Sequence, residues 1–290
     1  MLDGAHNRRR LADASAVPAP RAGMSNLINR VLVAVVGLPV VLGAVWAGGW
    51  WLWALAALGG AIAVHEFVTM ARPLAPLAPA AYVGVLLGLV GAKSGGVLWL
   101  LGGVLSAFVL AFALSVVAKT RPPATASVGA TVLCAAWVGF GLGHIVLLRR
   151  LHDEPRLISF TVLLVVFAAD TFAYFGGRLF GRHKLAPTLS PGKTWEGFLV
   201  GAVFGVFVAF VALYGDRGHY LVIWQAVVLG IVVVLAAVIG DLFESMLKRD
   251  MQVKDTGRLL GGHGGILDRV DALLFAAPAA YYLVRAFGYA

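Results

Sequence analysis

The densest run of chemically capable side chains in this chain lies between Asp241 and Asp271, in the segment GDLFESMLKRDMQVKDTGRLLGGHGGILDRVD. Asp241, Ser245 and Lys248 are spaced i, i+4 and i+7, so on a helix they share one face, with Glu244 and Arg249 adjoining. After a hydrophilic loop, the run Gly261-Gly262-His263-Gly264-Gly265 lets backbone approach a ligand closely. Asp268 and Asp271, at i and i+3, then share a face at the start of another apolar stretch. Carboxylates from two helix ends, cations and a glycine loop are the parts needed to hold a divalent cation and a polyphosphate together. Magnesium suits such a set, because it takes one or two carboxylates and completes its shell with water and substrate phosphates.

A second polar segment, RLFGRHKLAPTLSPGKTWEG, covers 178–197. Gly192, Lys193 and Thr194 share residue types with a phosphate-binding P-loop, but that motif requires Gly where this chain has Pro187, so it is not a Walker A sequence. Ser190, Lys193 and Thr194 nevertheless bring two hydroxyls and an ammonium just ahead of an apolar helix, whose first N–H groups favour an anion. An N-cap and a topogenic loop would use the same residues.

The elements that carry these segments follow from composition. The 290 residues are 60% hydrophobic and 13% charged, against roughly 25% charged in a soluble domain. The mean hydropathy is +0.89. An ordinary soluble, secreted or disordered chain is excluded, and the single Cys134 excludes a disulfide framework or a cysteine-based metal site. A bilayer core takes about 20 apolar residues per helix, and nine stretches qualify, with eight or ten left open: Leu27–Trp46, Trp50–Met70, Ala78–Ala92, Val97–Ala118, Val128–Leu148, Leu157–Gly177, Phe198–Tyr214, Leu221–Gly240 and Val270–Tyr289. The expected fold is an all-α, polytopic integral membrane protein. It divides into a disordered tail over 1–26, scaffold helices over 27–156, and a catalytic region over 157–290 with loops 178–197 and 241–269.

Charge gives the orientation. With the N-terminus inside the cell, 17 of the 23 Lys and Arg residues fall on the cytoplasmic side. The outside six are Lys93, Arg149, Arg150, Arg156, Arg217 and Arg285, and the cluster of Arg149, Arg150 and Arg156 runs against the rule. Topology and attraction to anionic lipid account for the net charge of +9 without a nucleic-acid partner. The scarce acids follow the same side: Glu66, Asp170, Glu196, Asp241, Glu244, Asp268 and Asp271 lie at cytoplasmic ends of spans, which places a site at the inner face of the cell membrane.

The run from Ser245, Lys248 and Arg249 through Lys254 and Asp255 to His263, Gly264, Gly265, Asp268, Arg269 and Asp271 resembles the signature of the phosphatidate cytidylyltransferases, or CDP-diacylglycerol synthases. Ser190-Pro191-Gly192-Lys193-Thr194-Trp195-Glu196-Gly197 is similar to that family's shorter motif, with Gly192 where many members carry Lys. The resemblance covers Asp170 to the C-terminus and treats the first 150 residues as generic spans. It implies transfer of CMP from CTP to phosphatidic acid, with magnesium, a possible second metal or monovalent ion, and a possible homodimer. On resemblance and helix spacing together, Asp241 and Asp268 are expected to hold the metal, with Asp271 and Glu244 as further ligands. Lys248 and Arg249 are expected at the triphosphate and leaving group, and Ser190, Lys193 and Thr194 at a substrate phosphate. Ser245, Lys254, Gly264 and Gly265 join the substrate site. His263 serves either a phosphate contact or a loop hydrogen bond, and Asp255 and Arg269 either pair or touch nucleotide. The chemistry suits the residues, since a phosphate monoester has its second pKa at about 6 and needs no general base.

Other classes remain open on sequence. A CTP-dependent lipid kinase would attack the γ-phosphate with an alcohol, giving CDP and a phospholipid in place of pyrophosphate and CDP-lipid. A transporter rests on span count and predicts flux that survives Asp268→Ala, whereas CMP transfer predicts near-complete loss. His65-Glu66 lacks the second His of a zinc protease helix and reads as a polar pair at a helix end. Gly139, Gly141 and Gly143 read as helix packing, and Gly84/Gly88 and Gly201/Gly205 as packing within the bundle or between copies.

Overall fold

The computed structural model describes residues 24–117, 123–215, 221–257 and 264–289. Among them nine helices make up the bundle: α1 (Met24–Ala47), α2 (Gly49–Met70), α3 (Ala78–Ser94), α4 (Val97–Val117), α5 (Ala124–Leu148), α6 (Pro155–Phe180), α7 (Trp195–Tyr214), α8 (Ile223–Asp250) and α9 (Leu267–Ala286). Each apolar stretch of the sequence is one helix, as a bilayer demands of a backbone that cannot bond to water. Six of them, α2 and α4 to α8, are long and apolar enough to cross a membrane by length and composition. The tail expected over 1–26 lies outside the described residues up to 23, and α1 already begins at Met24.

Two groups of helices can be distinguished. The first packs α2, α3, α4 and α5 around Val64, Phe67, Leu89, Leu100 and Val138. In the second, α6 lies along α7, and α8 contacts both α7 and α9. The two meet where α9 packs on α5. The paired glycines serve packing inside the bundle: Gly84 faces Ala107 of α4, and a side chain at Gly201 would collide with the Ala169 carbonyl of α6. Leu98, Trp99, Phe108 and Val116 of α4 point outward, a surface suited to lipid.

The arginines that offended the charge rule have structural employment. Arg149 donates from Nε to the Val45 carbonyl at 2.8 Å and from Nη2 to that of Trp46 at 2.9 Å. Arg150 donates to the Ala92 carbonyl at 2.5 Å. These are carbonyls from the last turns of α1 and α3, which lack helical partners and carry the negative end of the helix dipole. Arg156 lies over the Trp46 ring at 4.7 Å.

One element departs from the all-α expectation. The loop between α6 and α7 folds into an antiparallel hairpin of β1 (Lys184–Ala186) and β2 (Ser190–Thr194), with Lys184 opposite Thr194 and Ala186 opposite Ser190. Its base is pinned by Glu196, which accepts the Arg182 N–H at 3.0 Å, the His183 N–H at 3.2 Å and the His183 ring nitrogen Nδ1 at 2.6 Å. Strands this short and polar carry no alternating apolar pattern, so periodicity could not reveal them.

Candidate active site

One end of the second helix group carries a cavity of about 560 Å³. Asp170, Tyr174 and Arg178 line it from α6, Ser190, Lys193 and Thr194 from β2, and Asp241 from α8. Lys193 Nζ meets Asp241 Oδ2 at 2.5 Å, and the two side chains stay 25% and 27% exposed. Asp170, Asp241 and Asp271 each lie within the repulsive field of the others, while Lys193 and Arg269 act on Asp170 with the opposite sign. Close helix approach builds this crowd. A side chain at Gly240 would strike the Asp271 carbonyl, so only glycine lets α8 bring Asp241 against the first turns of α9.

Beside it lies a second polar cluster of different character. Lys248 Nζ bonds Glu244 at 2.6 Å and Asp268 at 3.0 Å, with Glu244 only 2% and Asp268 7% exposed. Asp268 also accepts the N–H groups of Gly265 at 2.7 Å and Thr256 at 3.1 Å. Glu66, from the distant α2, accepts the N–H groups of Ile266 at 3.0 Å and Leu267 at 2.8 Å, capping the start of α9. A side chain at Gly265 would overlap both Glu66 and Thr256, which gives the glycine loop a packing reason independent of any ligand.

The residues singled out in the sequence are therefore divided. Asp241, Lys193 and Ser190 share the cavity with Thr194, whose hydroxyl accepts the Gly197 N–H at 3.1 Å and so caps α7. Ser245 turns its hydroxyl to Asp241 at 3.5 Å, and Asp271 faces the same carboxylate. Asp268, Glu244 and Lys248 belong to the second cluster, so the expected pairing of Asp241 with Asp268 on one ion is not the grouping the fold makes. Arg249 donates to the Leu189 carbonyl at 3.2 Å and fastens the hairpin turn. Lys254 and Asp255 are exposed on the loop after α8, and Arg269 is exposed in the first turn of α9. Gly264 takes a positive φ of 77° that glycine favours. His263 lies outside the described residues.

Asp170 and Glu66 were absent from the expected site. Both are among the acids at span ends, and that one-sided clustering is the signal that points to them. Among the described residues no three His, Cys, Asp or Glu side chains converge closely enough to enclose a metal ion on their own. Asp170 and Asp241 line the cavity itself, a set of the one or two carboxylates that a magnesium ion would take with water and substrate phosphate completing its shell.

Comparison with known proteins gives a consistent result. The pattern of the Cytidylyltransferase family matches residues 28–287. A phosphatidate cytidylyltransferase of Mycobacterium bovis is 32% identical over 288 residues, covering 93% of this chain and 91% of that protein. One of Haemophilus influenzae is 45% identical over 128 residues, 42% of this chain and 43% of that protein. One of Pseudomonas aeruginosa is 38% identical over 161 residues, 56% of this chain and 57% of that protein.

Proposed function

The chain belongs to the cytidylyltransferase family, and from that premise we propose that it transfers CMP from CTP to phosphatidic acid, yielding CDP-diacylglycerol and pyrophosphate. The observation that carries this reading is the similarity to named phosphatidate cytidylyltransferases across 93% of the chain. The multi-pass helical bundle suits a lipid substrate, and the cavity suits a polyanionic one. The basic side of the molecule, with the contrary arginines absorbed as helix caps, supports a site on the cytoplasmic face of the inner membrane, where CTP is available.

The transfer forms a bond from the lipid phosphate oxygen to the α-phosphorus of CTP and breaks the bond from that phosphorus to the pyrophosphate oxygen. The attacking monoester is already ionised near neutral pH, so the side chains need not remove a proton. Their task is to bring two anions together and to neutralise the leaving pyrophosphate. Lys193 stands at the carboxylates, its ammonium within reach of an incoming phosphate, and Ser190 adds a donor on the same strand. Asp170 and Asp241 would hold magnesium, with Asp271 adding its charge from α9, and the ion when bound would screen the triphosphate charge and polarise its oxygens. Arg249 keeps the hairpin, and with it Lys193, over the cavity.

The test is purified protein in detergent with labelled CTP, phosphatidate and magnesium, with and without chelator. CDP-diacylglycerol and pyrophosphate are the expected products, lost on chelation and restored by magnesium. Folded protein that forms neither product overturns the assignment, and turnover that survives chelation removes the metal from it.

A further inference from the structure

Lys193, the cation closest to Asp241, is already paired with it. A second cation on the cavity wall, Arg178 in the last turn of α6, is placed differently. Among the described residues its guanidinium bonds only the Tyr174 hydroxyl, one turn back at 3.1 Å. Asp170, Tyr174 and Arg178 follow one another at i, i+4 and i+8, and all three line the cavity. They form a ladder about 12 Å long, rising from carboxylate to exposed cation. Helical side chains lean toward the helix start, so Arg178 reaches back along this ladder toward Asp170, the direction its bond to Tyr174 also takes. Around the same turns α6 exposes Phe175, Leu179 and Phe180, apolar side chains suited to the bilayer. Arg178 thus stands where the cavity meets this apolar surface.

Resting on the transfer argued above, we propose that Arg178, steadied by Tyr174, binds the phosphate monoester of the lipid substrate and sets its reach into the cavity. A dianion entering a cavity lined by Asp170 and Asp241, with the buried Asp271 behind them, needs a counter-charge that no carboxylate already claims. Guanidinium is suited to it, since its fork gives two parallel donors to phosphate oxygens. The nucleotide arrives from water toward Lys193 and the carboxylates, whereas the lipid arrives from the apolar side with its phosphate at interfacial depth. This geometry assigns Arg178 to the lipid.

The experiment measures both Michaelis constants in mixed micelles, varying phosphatidate at saturating CTP and CTP at saturating phosphatidate. Arg178→Ala is expected to raise KM for phosphatidate at least tenfold, the scale of one charge-assisted hydrogen bond, with KM for CTP within twofold. Arg178→Lys should recover part of the loss, and Tyr174→Phe should raise the phosphatidate KM two- to threefold. The rise must persist with a short-chain phosphatidate dissolved as monomer, where anchoring in a lipid surface plays no part. An unchanged phosphatidate KM, equal rises for both substrates, or a rise that vanishes with the soluble lipid overturns the inference and leaves Arg178 an interfacial anchor. If the wild-type protein makes no CDP-lipid, it is the reading of the function that has failed, whatever the variants do.

Discussion

The two polar clusters at the ends of α8 and α9 use the same residue types to opposite ends. Around Lys248, Asp268 receives two backbone N–H groups and an ammonium, and Glu244 shares that ammonium through Oε2 while its Oε1 stays buried without a partner. Around Lys193, three carboxylates repel one another with one directly paired ammonium, and two of them, Asp170 and Asp241, line a cavity that admits water. A buried charge with its partners built in is scaffold, because the protein itself offsets the cost of desolvation. A group of like charges left under-compensated and open is a place where the missing charge comes from a ligand. Neighbouring acids on one helix, Asp241 and Glu244, fall on either side of that division.

Asp241→Asn offers the sharpest way to break the comparison. It removes a charge from the open cluster, and CMP transfer is expected to fall at least about a thousandfold, roughly 4 kcal/mol of transition-state stabilisation. The Tm should hold or rise, because repulsion among the three carboxylates is relieved. Activity assays beside thermal unfolding in detergent check both halves, and a variant that melts early but works while folded would place Asp241 in the scaffold.

Lys248→Met tests the other side. It leaves Glu244 and Asp268 buried without their cation, a loss of about 3–5 kcal/mol, to be seen as a collapse in folded yield and Tm. Adding Glu244→Gln should restore part of that stability. No recovery in the double variant would mean that Lys248 acts beyond its ion pairs.

Glu66→Gln is milder. One carboxylate oxygen becomes an amide that cannot accept, so one of the Ile266 and Leu267 N–H groups loses its partner, at a cost of about 1–3 kcal/mol. Hydrogen exchange at residues 265–268 should quicken while the amides of α4 keep their protection. Uniform loosening would show that Glu66 supports the whole bundle and not the start of α9.

How these clusters divide was only half legible in the sequence. Helical spacing put Asp241, Ser245 and Lys248 on one face, and the span ends gathered every acid that matters, Glu66 and Asp170 included. Spacing along a single helix cannot say which neighbour a side chain meets across the bundle. Asp268 turned to Lys248, a contact 20 residues away, and Glu66 to backbone 200 residues on. The nine helices were readable because lipid imposes long apolar runs, whereas the hairpin was not, since its hydrogen bonds are anchored by Glu196 and need no apolar alternation. Pro187 breaks the Walker A pattern, yet Lys193 comes to the cavity on a hairpin strand.

The smallest effect is expected farthest from both clusters, at the opposite end of the bundle. Arg149 holds the last carbonyls of α1 through Nε and Nη2, contacts at a half-exposed surface where a cation at a helix C-terminus contributes about 0.3–1 kcal/mol. Arg149→Ala should therefore lower Tm by a few degrees at most and leave both Michaelis constants unchanged. Its larger consequence concerns topology. If the arginine serves as a cap, accessibility labelling of cysteines introduced on either side should show the same orientation in the variant as in the wild type. If it acts instead as a topogenic charge, its removal should make the orientation of the flanking helices more uniform, and the capping explanation of the contrary charges would then fail.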